Sequence, residues 1–280
     1  MYMLVFLLLL SFTLELSAFK ARRDDVEIVV VIPSHNNKRF LRRNLHSLVR
    51  QTYPKWEMIY INDCSTDKTG KRVERFIKKY HIRKRSEIIH NNERMGAMAN
   101  IYHAVTKTAP HKVIVLMDGD DKFKNKRVLE RVAKTYRNKK VWITYGNYQA
   151  SPRKHWTNDP CHAFPKKVIR KRDFRNYTWV CYPLRTFRAK LFHHIKKEDL
   201  MWKEKFFPVV SDTGYMFPML EMAARGHIYF EKRVQYIYHV NSPINDFRLR
   251  LPLMEEVSAY IRALPRYKPL KKLSYEKKPH

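Results

Sequence analysis

The sequence predicts an α/β fold, in which a mostly parallel sheet carries helices on both faces. Stretches patterned like buried strands alternate with stretches of helical periodicity from residue 27 to residue 147. Repeated strand–helix–strand units of this length are typical of parallel sheets. Hydrophobic residues make up 44% of the 280-residue chain, which is enough for a substantial core. After residue 147 the pattern loosens, so we expect a single domain with a looser C-terminal half.

The predicted strands are apolar and rich in β-branched residues. Residues 27–32 form such a run, which Pro33 ends, and they are expected to form a fully buried parallel strand. The other predicted strands are residues 56–61, 87–89, 112–117, 141–145 and 228–240.

The predicted helices carry apolar residues on one face. In residues 39–52, Leu41, Leu45 and Leu48 recur at helical spacing. The other predicted helices are residues 70–80, 95–107, 125–137, 211–225 and 252–263. Residues 151–175 are rich in proline and basic residues and are predicted to form long loops, with order returning at 184–195.

The net charge limits the classes of partner. Lys and Arg number 57 against 26 Asp and Glu, a formal charge of +31. Such an excess favours nucleic acid, anionic membranes or phosphate-bearing substrates. The basic residues are spread along the chain, as in an ordinary solvated surface. No zinc-finger, RNP or helix-turn-helix signature is present, so no specific nucleic-acid partner is predicted.

The N-terminal segment is apolar. Residues 1–14 form a nearly unbroken apolar run that Glu15 ends, shorter than the ~20 residues that span a bilayer comfortably. Residues 1–19 are therefore interpreted as a signal or membrane-anchor segment. Basic residues follow it from Lys20, which opposes translocation of the rest of the chain. The predicted localisation is membrane-associated or in the secretory pathway, with the side of the membrane left open.

The cysteine pattern predicts neither a disulfide framework nor a metal site. The three cysteines are Cys64, Cys161 and Cys181, and their spacing matches no metal-binding motif. One bridge between Cys161 and Cys181 is compatible with an oxidising compartment.

Three aspartates lie within four residues directly after a predicted strand. Asp118, Asp120 and Asp121 follow residues 112–117, and ligands of parallel sheets sit at the carboxyl ends of strands. Carboxylates this close repel one another unless a cation lies among them. Oxygen ligands of this kind suit Mg²⁺ or Mn²⁺, which keep positions open for phosphates. The alternative is an acidic turn, because Asp-Gly-Asp is a favourable turn sequence.

A second polar segment follows the strand at residues 56–61. Asp63 in this segment could accept a hydrogen bond from a nucleotide base. The alternative is a helix N-cap or Asx-turn within residues 62–67, which requires only one of these side chains.

Four segments occur in an order that resembles a known family. They are residues 30–37 (VVIPSHNN), 47–57 (SLVRQTYPKWE), 62–69 (NDCSTDKT) and 116–121 (LMDGDD). Together they resemble the successive motifs of glycosyltransferase family 2, whose fold is called GT-A. The resemblance covers about residues 27–147 closely and the remainder loosely.

The resemblance implies roles for the strand ends. By this resemblance, the nucleotide is held by Asp63 together with Pro33, Ser34 and Asn36 at the end of the first strand. Its base is commonly uracil. The segment Asp118-Gly119-Asp120 reaches the ribose and the metal-bound diphosphate, with Asp120 as the most direct metal ligand. Family members often carry Arg where this chain has Ala99, and Arg94 could supply the missing charge.

The resemblance also implies a catalytic residue in the second half. Asp212 lies where the family places its catalytic carboxylate, with Ser211 in place of a frequent Glu. It would act as the general base, and the alternative is a helix N-cap. His239 could be a further metal or diphosphate ligand, although a lone histidine near a strand is more often structural. Arg185 and Arg188 could contact acceptor or phosphate, and the alternative is an ordinary surface role for both.

These observations predict a metal-dependent, inverting glycosyltransferase. It would move a sugar from a UDP-sugar to a hydroxyl of a glycan, protein or lipid, using Mn²⁺ or Mg²⁺. The alternatives are an inactive GT-A-like binding protein and a basic nucleic-acid-binding protein. The predicted divisions are residues 1–19, a nucleotide-sugar-binding half at 26–147, an acceptor and catalytic half at 148–265 and a basic tail at 266–280.

Overall fold

The computed structural model describes residues 26–152, 161–241 and 250–274. The strands are β1 (Ile28–Ser34), β2 (Trp56–Asp63), β3 (Ser86–Asn91), β4 (Val113–Leu116), β5 (Lys122–Phe123), β6 (Ile143–Ser151), β7 (Thr186–Arg188), β8 (Met201–Trp202), β9 (Lys205–Phe206) and β10 (Ile228–His239). The helices are α1 (Leu41–Val49), α2 (Thr69–Lys79), α3 (Ala97–Lys107), α4 (Val128–Tyr136), α5 (Lys166–Lys171), α6 (Ala189–Phe192), α7 (Ser211–Met222) and α8 (Leu251–Ala263). Short 3₁₀ turns cover Arg83–Arg85 and Lys197–Leu200.

One eight-stranded sheet organises the molecule. Its strand order is β3-β2-β1-β4-β7-β6-β10-β5, and β8 and β9 form a separate hairpin. β1 pairs in parallel with β2 and β4, and β6 pairs in parallel with β10. β7 is antiparallel to both β4 and β6, and β5 is antiparallel to β10. The pairing of β10 with β6 brings the second half of the chain into the same sheet as the first.

Helices cover both faces of this sheet. Along β1, Val29 and Val31 belong to one hydrophobic cluster, whereas Val30 belongs to the other. The first cluster includes apolar residues of α3, α7 and α8, and the second includes those of α1, α2 and α4. Alternate residues of a strand point to opposite faces, so β1 is buried on both sides. The predicted α/β architecture is confirmed.

A buried ion pair ties the C-terminal elements together. Arg175 Nε donates to Glu221 Oε1 at 2.6 Å, and the side chains are only 2% and 0% exposed. The backbone N–H of Tyr267 donates to the other oxygen of Glu221 at 2.9 Å. Removing one partner would leave a buried charge uncompensated, so this pair fixes the position of α7.

Several short elements differ from the sequence predictions. α5 lies within residues 151–175, which were predicted to be loops. β5, β7 and the hairpin of β8 and β9 have two or three residues per strand, too few to produce a recognisable periodicity. β7 is nevertheless central, because it joins β4 to β6.

Two further expectations can be compared with the structure. Cys64, Cys161 and Cys181 form no disulfide with one another, so the Cys161–Cys181 bridge is not formed. No helix within residues 26–152, 161–241 or 250–274 is long and apolar enough to cross a membrane, and the predicted membrane localisation is therefore wrong. The segment on which that prediction depended, residues 1–19, lies outside the described residues, and its apolar run of 14 residues is shorter than a bilayer span.

Candidate active site

A cleft of about 1640 Å³ opens at the carboxyl ends of β1, β2 and β4. Its other wall consists of residues from the β8–β9 hairpin, the start of α7 and α8. The predicted site residues that line the cleft are Pro33, Ser34, Asp63, Arg94, Asp118, Gly119, Asp120 and Asp212. Two predicted residues, Asn36 and His239, are not among the residues that line it.

Helix α1 holds the turn that carries the aspartates. The side-chain amide of Asn44 donates to the carbonyl oxygens of Asp118 and Asp121 at 2.8 and 2.9 Å. Arg43 Nη2 donates to the carbonyl oxygen of Asp120 at 3.0 Å. Because these contacts use main-chain oxygens, the turn is fixed while the side chains of Asp118 and Asp120 remain directed to the cleft.

Asp121 has a different place from the other two aspartates. Its side chain is 1% exposed, and Oδ1 accepts a hydrogen bond from the backbone N–H of His239 at 2.6 Å. Burial, together with the negative charges of Asp120 and Asp118, raises the pKa of Asp121 well above its ordinary value. The backbone N–H of Asp118 donates to the hydroxyl of Tyr236 at 2.9 Å. Asp121 and Tyr236 thus attach the turn to β10.

Asp118 and Asp120 are the carboxylates left to face the cleft. The Asp118 side chain is exposed to solvent within the cleft, and the walls of the cleft enclose it on the other sides. That surrounding protein and the charge of Asp120 raise the pKa of Asp118 to about 6, while Arg185 acts in the opposite direction. Two carboxylates that repel one another in this way are natural oxygen ligands for a divalent cation.

The two carboxylates at the cleft suit a metal ion that is also bound by oxygen atoms of the substrate. Among the described residues, no group of three or more His, Cys, Asp or Glu side chains is placed to hold a metal ion. The predicted ligand set of Asp118, Asp120 and His239 is therefore not assembled. Mg²⁺ commonly binds through one or two carboxylates plus water and phosphate oxygens, and the pair at the cleft matches that chemistry.

His239 is held by packing rather than directed to the cleft. Its ring lies 4.6 Å, centroid to centroid, from the ring of Phe40. Its backbone belongs to β10 and donates to Asp121, as described above. Both contacts fix the residue beside the aspartate turn and outside the lining of the cleft, and its role as a metal ligand stays a prediction.

Gly119 lies directly against the end of β1. A Cβ atom at this position would be 2.5 Å from Ser34 Oγ and 2.7 Å from Asn37 Nδ2. Ser34 is itself fixed, because its hydroxyl accepts hydrogen bonds from Tyr60 Oη at 2.8 Å and Asn37 Nδ2 at 3.2 Å. Only glycine therefore allows this close approach of the aspartate turn to β1.

Asp63 organises the loop that precedes α3. Oδ1 accepts hydrogen bonds from Asn91 Nδ2 at 2.8 Å and from the backbone N–H of Met95 at 2.9 Å, and Oδ2 accepts from the backbone N–H of Gly96 at 2.9 Å. Burial opposes ionisation, but these hydrogen bonds outweigh it and lower the pKa of Asp63. The carboxylate is ionised and rigidly placed at the edge of the cleft.

The neighbouring polar residues have structural roles. Asn36, with φ of 51°, donates from its backbone to Ser65 Oγ at 2.9 Å and accepts from the backbone of Thr66 at 2.9 Å. It therefore joins the loops after β1 and β2. Asp67 forms the Asx turn, accepting from the backbone N–H of Thr69 at 3.0 Å. The turn alternative for residues 62–67 is thus fulfilled by Asp67, and Asp63 remains available to the cleft.

Asp212 lies in the first turn of α7. The residue before the helix is Val210, with φ of 46°, and no side-chain cap is present, so the N-cap alternative for Asp212 is not realised. Its Oδ2 accepts from Arg185 Nη2 at 2.6 Å, and its Oδ1 accepts from the backbone N–H of Thr213 at 3.0 Å. Arg188, by contrast, is buried and donates to the carbonyl oxygen of Val141 at 2.9 Å.

Sequence reasoning did not identify two residues that support the site. Asn44 occupies an inward position of α1, between Leu41 and Leu48, and an amide in that apolar stripe is a signal that something polar must face it. Tyr236 gave no such signal, because a tyrosine within an apolar strand is ordinary.

Part of the chain is similar in sequence to a known family and to several known proteins. Residues 29–196 match the model of glycosyl transferase family 2. The chain is 31% identical over 106 residues to the poly(ribitol-phosphate) beta-N-acetylglucosaminyltransferase TarS of Staphylococcus aureus, covering 37% of this chain and 18% of TarS. It is 26% identical over 126 residues to the UDP-Glc:alpha-D-GlcNAc-diphosphoundecaprenol beta-1,3-glucosyltransferase WfgD of Escherichia coli, covering 45% of this chain and 47% of WfgD. The matched region spans less than half of either relative's length.

Solved structures share the fold. Residues 1–349 of S. aureus TarS, in complex with UDP-GlcNAc, superpose with a TM-score of 0.58 at 17% identity, covering 78% of this chain and 59% of that chain. The mannosyltransferase PcManGT of Pyrobaculum calidifontis, in complex with GDP-Man and Mn²⁺, superposes with a TM-score of 0.59 at 18% identity, covering 90% and 72%. At these identities the likeness concerns the fold, and that fold is the predicted GT-A type.

Proposed function

Because the chain belongs to glycosyl transferase family 2, we propose that it transfers a sugar from a UDP-sugar to a hydroxyl of a glycan, protein or lipid acceptor. In this proposal residues 26–147 bind the donor, and residues 148–265 bind the acceptor and supply the base. One observation carries the proposal: Asp63, Asp118, Asp120 and Asp212, distant in sequence, line a single cleft.

The donor nucleotide would lie at the ends of β1 and β2. Each oxygen of the Asp63 carboxylate has two lone pairs, and the three hydrogen bonds from the protein leave capacity for one from the imide N–H of uracil. Pro33 and Ser34 form the adjoining wall, and Arg94 is exposed on the same side. Relatives support a nucleotide-sugar donor, since TarS has been solved with UDP-GlcNAc and WfgD is named for UDP-Glc.

Asp118 and Asp120 would hold Mn²⁺ or Mg²⁺ together with the donor diphosphate. When bound, such an ion neutralises the diphosphate and stabilises it as a leaving group. The hydrogen bonds of Asn44 keep the two carboxylates at the cleft before any ligand arrives, so little reorganisation is required. The Mn²⁺ in the P. calidifontis mannosyltransferase supports this choice of ion.

Asp212 would act as the general base. It would take the proton of the acceptor hydroxyl while that oxygen forms a bond to C1 of the sugar and the bond from C1 to the diphosphate breaks. A single in-line displacement inverts the configuration at C1, and the β-linkages in the names of TarS and WfgD support inversion, since UDP-Glc and UDP-GlcNAc are α-linked. Arg185 orients the carboxylate through the 2.6 Å contact.

Release of UDP tests this function. A panel of UDP-sugars is incubated with Mn²⁺, a pool of acceptors and either the wild type, Asp212→Asn or the control Glu198→Gln, an exposed acid outside the cleft. We expect Asp212→Asn to reduce transfer by a factor of about 10² to 10⁴, with donor affinity unchanged and Glu198→Gln fully active. Full transfer by Asp212→Asn would remove its assignment as base, and lack of UDP release from every UDP-sugar by the wild type would refute the donor class.

A further inference from the structure

The wall of the cleft opposite the aspartates is basic. It is built from the turn Lys197–Leu200, the β8–β9 hairpin and α8, all beyond the region that matches the family. The basic side chains from the second half that line the cleft are Arg185, Lys197, Lys203, Lys205, Arg250 and Arg262. The acids from this half that line it are Glu204 and Asp212, which leaves a net charge of 6 − 2 = +4 among described residues.

The donor end of the same cleft has the opposite sign. One arginine, Arg94, lines it together with four acids, so the net charge is 1 − 4 = −3. The four acids are Asp63, Glu93, Asp118 and Asp120. A divalent cation would compensate part of this negative charge. Among the described residues the basic wall keeps an excess of positive charge, and concave surfaces concentrate the potential of their charges.

The arginines of the basic wall are engaged by the protein. Arg185 is paired with Asp212. Arg262 Nη1 donates to the carbonyl oxygens of Arg175 and Tyr177, and burial lowers its pKa. These guanidinium groups fix the start of α7 and the position of α8, so the charge available for a ligand lies elsewhere.

The lysines are the groups available to a ligand. Lys203 forms a long ion pair with Glu256 at 3.4 Å and lies 4.0 Å from the centre of the Trp202 ring. Lys197 and Lys205 are exposed, and neither forms an ion pair with a described residue. Lys197 Nζ lies 5.7 Å from the ring centre of Phe206, a contact that keeps it beside the hairpin.

From this charge distribution we propose that the acceptor is a phosphate-bearing polyol or glycan chain whose phosphate groups contact Lys197 and Lys205. Lysine ammonium groups bind phosphate oxygens as compact point charges and do not require one fixed orientation of the phosphate. Trp202 lines the same wall and adds apolar surface beside the lysines for the carbon chain between phosphates. The proposal rests on the proposed function, since it names the acceptor class for the same cleft.

A binding experiment separates the acceptor from the donor. The protein is saturated with UDP and Mn²⁺ and is titrated with a short glycerol-phosphate oligomer, with binding followed by calorimetry. The neutral probe is maltotetraose. The test variant is the double substitution Lys197→Gln and Lys205→Gln. Its matched control is Lys71→Gln with Lys84→Gln, two exposed lysines outside the cleft that change the net charge equally.

We expect the wild type to bind the oligomer, more weakly as salt rises, and to bind maltotetraose far less. The cleft double variant should lose about tenfold in affinity for the oligomer, because each exposed ion contact contributes a factor of a few. The control variant should bind like the wild type, and the affinity for UDP should be unchanged in both.

Three results would overturn the proposal. They are unchanged oligomer binding by the cleft variant, equal binding of maltotetraose by the wild type, and a parallel loss of UDP affinity, which would assign the lysines to the donor diphosphate. Failure of the wild type to bind UDP at all is a different result, because it refutes the proposed donor and not the choice of acceptor.

Discussion

Replacing Asp63 by asparagine tests how the donor end is built. The carboxylate accepts three hydrogen bonds, two on Oδ1 from Asn91 and Met95 and one on Oδ2 from Gly96. An asparagine has a single acceptor oxygen. If that oxygen faces Asn91 and Met95, the new NH₂ group confronts the N–H of Gly96, so one bond is lost and one donor is left unsatisfied.

The expected cost follows from these contacts. A hydrogen bond to a charged group is worth ~1.5–3 kcal/mol, and an unsatisfied buried donor costs a comparable amount. Because the side chain is 3% exposed, solvent offers little relief. We therefore expect Asp63→Asn to lose about 3 kcal/mol of unfolding free energy. At ~2–4 °C per kcal/mol for a chain of this size, Tm should fall by about 6–12 °C.

Thermal unfolding at several pH values is the assay. The pKa of Asp63 is lowered in the folded protein, so its stabilisation is complete above the unfolded pKa of ~3.9 and is lost as pH falls through the folded pKa. The difference in Tm between wild type and Asp63→Asn should therefore be largest near pH 7 and shrink below about pH 4.

A control and a refuting result complete the test. Asp173 also accepts side-chain hydrogen bonds, from Asn176 at 2.7 Å and Arg266 at 2.8 Å, but on the exposed surface. Asp173→Asn should cost less than about 1 kcal/mol. If Asp63→Asn changes Tm no more than this control does, the carboxylate does not organise the loop before α3.

Three other substitutions test the supporting contacts. Gly119→Ala should weaken Mn²⁺-dependent UDP binding and cost about 1–3 kcal/mol in urea unfolding, since its Cβ would lie 2.5 Å from Ser34 Oγ; wild-type values for both would contradict the close approach. Asn44→Leu should lower UDP affinity because the aspartate turn loses two hydrogen bonds, and unchanged calorimetric affinity would count against that role. Glu221→Leu should cost about 3–5 kcal/mol by leaving Arg175 buried and unpaired, whereas a stable variant would exclude the pair as an anchor of α7.

The first half of the fold could be predicted because its elements are long and regular. β1 follows from an unbroken β-branched run, and α2 from the spacing of Val73, Phe76 and Ile77. Asp63 and Asp118 could be placed at one cleft because both follow parallel strands, whose carboxyl ends share an edge. In each case a local pattern and a general rule of sheet topology were sufficient.

The second half could not be derived in the same way, because its structure depends on contacts between distant residues. β7 is three residues long and is defined by pairing with β4 and β6. The contact of Arg185 with Asp212 joins residues 27 positions apart. No local sequence feature of Asn36 or His239 shows whether the side chain binds substrate or metal or instead holds neighbouring parts of the chain. Only the folded chain places Asn36 between two loops and His239 beside the aspartate turn.

Calorimetric titration of UDP tests the central role of the aspartate turn most directly. The wild type, Asp120→Asn and the control Glu87→Gln, an exposed acid on β3, are titrated with and without Mn²⁺. We predict that UDP binds the wild type and Glu87→Gln in a Mn²⁺-dependent manner, and that Asp120→Asn loses more than about tenfold in affinity, since a direct ligand matters at least as much as its outer-shell partners. Equal UDP affinity of all three proteins, or binding that is indifferent to Mn²⁺ and to chelator, would contradict the metal–diphosphate site.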